Sequence, residues 1–161
     1  MSTRLLDAAD VVLNIEASAD TQENNAWVKM LLRMYCRYCE AHSLKYEVLA
    51  DQPGHASMLV TGADYGRFKA ERGVHRLSRV SPFDPNRRRH TSFASVDVAG
   101  AGHGTASPSS QHVRAYILSP RCAVVELCTG FTADDPGKIL DGHLDQFIDA
   151  WGKARPRSAT R

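Results

Sequence analysis

The chain has 161 residues, 43% of them hydrophobic, with 20 Lys and Arg against 18 Asp and Glu and a formal net charge of +2. That is enough material for one ordinary core, so residues 1–161 read as a single domain. A balance this close to neutral leaves any nucleic-acid argument to rest on local clusters of basic residues rather than on bulk charge. No apolar run approaches the roughly 18 residues of a membrane span, and MSTRLLDAADVV is too acidic for a signal peptide; the expectation is a soluble, intracellular protein.

In chain order, VVLNIEA (Val11 to Ala17) places Val11, Leu13 and Ile15 on one face of a strand. Asp20 and Glu23 have capping-box spacing and open a helix with Trp27, Met30, Leu31, Met34 and Tyr38 on its inner stripe. LKYEVLA and ASMLVTG form a hairpin around the turn cluster DQPGH. A shorter helix from Ala63 to Arg72 stops at Gly73, the residue suited to a left-handed C-terminal cap. The strand VHRLSRV, the two-proline loop SPFDPNRRR and the strand HTSFASVDV follow. AGAGHGTASPSS (residues 99–110) has linker composition. HVRAYIL and CAVVELC are two more strands, and Ile139 to Lys153 is a helix with Leu140, Leu144, Phe147, Ile148 and Trp151 inside. The tail from residue 154 to 161 is basic and expected to fray. The fold class is α+β, an α/β layer in which two or three helices cover a mixed sheet, and HTSFASVDV and HVRAYIL share that sheet as neighbours.

Enzyme constellations are weak. GAGHG lacks the helix that must follow a phosphate-binding loop. Asp141, Asp145 and Asp149 recur every four residues, as on a solvated helix face. His103 and His112 lie near Ser107, Ser109 and Ser110 without any spacing that fixes a dyad. Cys36 and Cys39, with Cys122 and Cys128, would allow a four-thiolate zinc site to be drawn. The first pair, however, falls in the helical pattern LLRMYCRYCEAH, where structural zinc pairs are rare, so free thiols and no metal are expected.

Chemistry concentrates in SPFDPNRRRHTSFAS. Pro82 restrains Ser81 to extended backbone and so presents its hydroxyl rigidly. A hydroxyl both donates and accepts, which suits a purine edge. His90 offers a ring to stack on an unpaired base, Thr91 a second hydroxyl, and the arginines can neutralise phosphates. The bland alternative is a basic surface loop in which Phe83 plugs the core and His90 merely begins a strand.

GVHRLSRVSPFDPNRRRHTSFASVDV resembles the codon-recognition segment of bacterial class 1 peptide chain release factors of the UGA- and UAA-reading type, whose pattern is GVHRLVRxSPFDxxxRRHTSFAS. The likeness extends upstream through WVKMLLRMYCRYCEAHSLKYEVLA and resumes at SSQHVRAYIL and LDGHLDQFIDAW. The resemblance implies that Ser81 contacts the second codon base, that His90 stacks beside it, that Thr91 contacts the third, and that Pro82 and Phe83 shape the loop. Glu23 and Arg76 join the codon-side group, and Arg79, Arg87, Arg88 and Arg89 are the implied phosphate contacts.

Departures qualify the match. Where the family has GGTEAQDW, this chain has DTQENNAW, so Asp20 and Thr21 replace glycines that allow close approach to the first base. Ser78 and Val80 also differ beside the loop. The Gly-Gly-Gln hydrolytic domain would lie between Val98 and Gln111, where only residues 99–110 stand, and the family's N-terminal helical domain is not recognised ahead of the first strand. The resemblance therefore implies a cytoplasmic bacterial protein, or one of a mitochondrion or other organelle, with no catalytic residue and no cofactor. Its partner would be the ribosomal decoding site with its rRNA and mRNA. The alternatives are a structural ribosome-associated or messenger-stabilising protein with a relic loop, and a codon-reading subunit that works with a separate Gly-Gly-Gln protein.

Overall fold

Alternating apolar residues and one long amphipathic helix set the architecture. The computed structural model describes residues 10–63, 65–100 and 110–154. Their order is β1 (Asp10–Ala17), α1 (Gln22–Ala41), β2 (Lys45–Gln52), β3 (His55–Thr61), α2 (Tyr65–Phe68), a 3-10 turn (Lys69–Glu71), β4 (Gly73–Val80), β5 (Arg89–Gly100), β6 (His112–Ile117), β7 (Ala123–Glu126), β8 (Thr132–Ala133), α3 (Pro136–Leu140) and α4 (Asp145–Ala154). The strands form one eight-stranded sheet in the order β2-β3-β1-β5-β4-β6-β7-β8. Every neighbouring pair is antiparallel except β4 with β6, so the sheet is mixed.

The period-2 pattern decides which face is buried. Val11, Leu13 and Ile15 of β1 and Ala94, Val96 and Val98 of β5 pack under Trp27, Val28, Leu31, Met34 and Tyr35 of α1. Met30, expected on the inner stripe, is only partly buried against that cluster. The α1 cap is Thr21 rather than Asp20: the Thr21 hydroxyl accepts from the Asn24 N–H at 3.1 Å.

Three expectations about local structure are corrected. The helix expected from Ala63 to Arg72 shrinks to α2 and one 3-10 turn, because that tighter turn carries Glu71 into the interior. Gly73 is not a helix cap but the first residue of β4. Its φ is +136°, and a Cβ there would sit 2.1 Å from Val113 Cγ2 and 2.6 Å from the Gln111 carbonyl oxygen. The helix expected over Ile139 to Lys153 is two helices, broken at Gly142. This residue has φ +101° and lets the chain pass so close to α1 that a Cβ would lie 2.5 Å from Tyr38 N. Ile139, Leu144, Phe147 and Ile148 are buried, and Leu140 and Trp151 pack on the core's margin.

β5 extends through Gly100, so the expected linker starts later than residue 99, and residues 101–109 and the tail from 155 lie outside the described residues. β5 and β6 do share one sheet, but β4 separates them.

The helix-covered side also holds a buried ionic cluster. Arg114 donates to both Glu71 oxygens at 2.8 and 2.7 Å and to Glu126 Oε2 at 3.0 Å, and Tyr35 OH donates to Glu71 Oε1 at 2.9 Å. Burial alone would raise the Glu71 carboxyl; the bidentate guanidinium outweighs it and holds that group below the usual range. One guanidinium cannot neutralise two carboxylates, and burial pushes Glu126 up to about 7. Among the described cysteines, Cys39 is buried and Cys36 half-buried on α1, while Cys122 and Cys128 are exposed; all four are free thiols.

Candidate nucleic-acid interface

The loop between β4 and β5 is built by backbone first. Arg79 pairs with His90 and Val80 with Arg89 in the ladder, and Ser81 N–H donates to the Arg88 carbonyl at 3.0 Å. Pro82 follows immediately and fixes the outward course of the chain.

Ser81 is not presented to solvent as expected. It is 2% exposed, its hydroxyl donates to Glu23 Oε1 on the first turn of α1, and the same oxygen accepts from Phe83 N–H at 3.1 Å. Phe83 does not plug the core either, being 40% exposed at the loop's crest. The helix N-terminus and the loop are thus latched together through one serine.

Asp84 is the second organising residue. Its Oδ2 accepts from Arg88 Nε and faces His90 Nε2, both at 2.8 Å, and its Oδ1 accepts from Asn86 N–H at 2.8 Å. These contacts, with the His90 bond first, hold its carboxyl at about 2. Arg87, at φ +55°, closes the turn by donating its N–H to the Asp84 carbonyl at 3.0 Å. Asp84 has no role in the sequence reading above; the Asp-x-Asn spacing of an Asx turn is the signal that could have found it.

Strand parity sorts the remaining residues. His90 shares its parity with buried Ser92 and Ala94, so it and its ladder partner Arg79 belong to the helix side, with Ser81 and Glu23. Thr91 and its partner Ser78 belong to the opposite face, as do Arg76 and its partner Phe93. The residues expected to act together therefore divide: Glu23, Ser81 and His90 cluster with the unforeseen Asp84 at the first turn of α1, while Thr91 and Arg76 lie across the sheet.

The arginines are not equivalent. Arg87 is exposed, Arg88 is bound to Asp84, and Arg89 reaches the Ser119 carbonyl at 3.4 Å. Arg79 is half-buried, and burial lowers its pKa despite the opposing charge of Glu23. Asn24, also unforeseen, fixes α1 to the sheet: its Oδ1 accepts from Phe93 N–H at 3.0 Å and its Nδ2 donates to the Ala19 carbonyl at 3.2 Å.

With this geometry in place, the PCRF domain matches residues 1–96. The chain belongs to the PCRF-domain family. It is similar to peptide chain release factor 2 of Staphylococcus epidermidis, 48% identical over 99 residues that cover 57% of this chain and 27% of the relative. The corresponding protein of Chlamydia abortus is 50% identical over 100 residues, covering 58% and 27%. The match thus accounts for about a quarter of the length of these curated relatives. The solved structure of RF2 of Thermus thermophilus superposes with a TM-score of 0.80 at 23% identity, covering 96% of this chain and 70% of that one. The α+β fold is therefore that of a release factor 2 structure, and this PCRF-domain chain carries it from β1 to α4.

Proposed function

We propose that this PCRF-domain protein is a ribosome-binding module that docks its β4–β5 loop in the decoding site without releasing peptide. The supporting observation is a loop already fixed in one shape by Glu23, Ser81, Asp84 and His90, flanked by exposed arginines. A loop ordered before binding loses less conformational entropy on docking. Hydrolysis is assigned to no residue, because only residues 101–111 join β5 to β6, where the resemblance expects the Gly-Gly-Gln domain. Among the described residues no helix is long and apolar enough to cross a membrane, and the relatives above are bacterial, which fits a bacterial cytoplasmic protein.

The test is co-sedimentation with ribosomes carrying UGA, UAA or a sense codon in the decoding site, together with a peptide-release assay. Stop-dependent binding without release is expected. Binding that ignores the codon favours the relic reading, for which the engaged Ser81 hydroxyl speaks. Peptide release by the purified chain refutes the proposal, whereas release only with an added Gly-Gly-Gln protein makes the chain a codon-reading subunit.

A further inference from the structure

We infer a second RNA contact on the sheet face that carries no helix among the described residues, a stacking platform for one unpaired base formed by Phe93 and His112 beside Arg76; the inference goes beyond the loop and rests on the RNA-binding reading above.

The platform follows from parity and register. Ser92, Ala94 and Val96 of β5 are buried under the helices, so Phe93 between them faces the other way, and it takes no part in the apolar core. β4 lies between β5 and β6, with Arg76 opposite Phe93 and Val74 opposite His112. The Phe93 and His112 rings meet across β4 with centroids 5.8 Å apart and planes at 74°. Phe93 is half-buried and His112 exposed, so the pair reaches solvent, where an edge-to-face arrangement can take a third planar group. Arg76 pairs with no carboxylate among the described residues, so a charge suited to phosphate stands one strand away.

Continuity argues for single-stranded RNA as the occupant. Thr91 and Ser78 continue the same face toward the loop, so a strand whose bases meet the loop can run down β4 and β5 with its next base on Phe93. Stacking on an aromatic is indifferent to base identity, which predicts affinity without sequence preference at this step.

The test uses a fluorescein-labelled single-stranded RNA dodecamer and a blunt duplex of the same length, titrated with the full chain by anisotropy. Phe93→Leu should weaken single-strand binding roughly five- to a hundredfold at unchanged salt slope, and Phe93→Trp should retain it. His112→Ile should show a smaller loss of the same kind. Arg76→Gln should flatten the salt slope by about 0.7. Wild type and Phe93→Leu are also measured on codon-programmed ribosomes. Wild type that binds stop-programmed ribosomes but whose single-strand affinity Phe93→Leu leaves unchanged fails the platform and not the loop, whereas single-strand affinity lost by Phe93→Leu supports the platform whether or not the ribosomes distinguish a codon. Equal affinity of wild type and Phe93→Leu, or no single-strand binding by wild type, overturns the inference. So does a wild-type dimer that Phe93→Arg dissolves, because a second copy would then cover the face.

Discussion

Replacing Ser81 with Ala tests whether the β4–β5 loop is latched to α1 in the free chain. The hydroxyl makes two bonds inside the protein, one to a carboxylate on α1 and one from Phe83 N–H. A hydrogen bond to a charged group is worth about 1.5–3 kcal/mol and a neutral one about 1 kcal/mol. Glu23 is only half-buried, so its carboxylate turns to water once the serine is gone and recovers part of that sum. The expected loss is about 1–2 kcal/mol, equivalent to a fall in melting temperature of about 3–6 °C for a domain of this size. Urea unfolding followed by tryptophan fluorescence reads it, since Trp27 is fully buried and its Nε1 donates to the His75 carbonyl. A cycle with Glu23→Gln should return a coupling near 1 kcal/mol, because the two changes remove the same bond. A loss below about 0.3 kcal/mol, or strict additivity with Glu23→Gln, refutes the latch and returns Ser81 to the role of a free, presented hydroxyl.

Arg114→Met should cost about 3–5 kcal/mol in the same urea experiment, because it strands the buried Glu71 carboxylate, and adding Glu71→Gln should restore much of it. Glu126, held at about 7, keeps its proton in the folded chain over the interval where an unfolded glutamate has lost it. Its contribution to stability is therefore fullest below about 4.3 and is lost as pH rises through 7, and Glu126→Gln should flatten that decline in unfolding free energy between pH 5 and 7. Asp84 has the opposite sign. With its carboxyl at about 2, its ordering of the loop persists above the usual carboxylate range of about 3.9 and is lost as pH falls through 2. Asp84→Asn should accelerate hydrogen exchange of the Asn86 amide at neutral pH, while the α1 amides stay protected.

Patterns confined to one element were legible in the sequence. The period-2 runs of β1 and β5 and the amphipathic stripe of α1 were readable because burial on one side imposes them locally. The breaks were not. Gly73 reads as an ordinary helix stop and Gly142 as one residue inside a continuous helix, yet what fixes each is another segment passing within van der Waals reach, Val113 in one case and Tyr38 in the other. The site divided along the same line. Ser81, His90 and Thr91 stood out by type and resemblance. That the serine is spent on Glu23, 58 positions away, depends on a pairing no local window contains, whereas the opposite faces of His90 and Thr91 follow from the period-2 alternation of the strand they open and were within reach. Asp84 was within reach, since an Asx turn is a local device and Asp84-Pro85-Asn86 has its spacing.

The strand order has a consequence for how such a chain can be cut and joined. β6 adds to the free side of β4, parallel to it, and opens no pairing among β2, β3, β1, β5 and β4. The junction after Gly100 sits at the far end of β5 from Arg89, roughly 35 Å along a strand of this length. A whole domain can be spliced into or out of that junction without touching one ladder bond of the first five strands or the latch at the loop. Such a sheet works like an instrument with a detachable handle, in which the β4–β5 loop and the junction after Gly100 share one strand and can change independently.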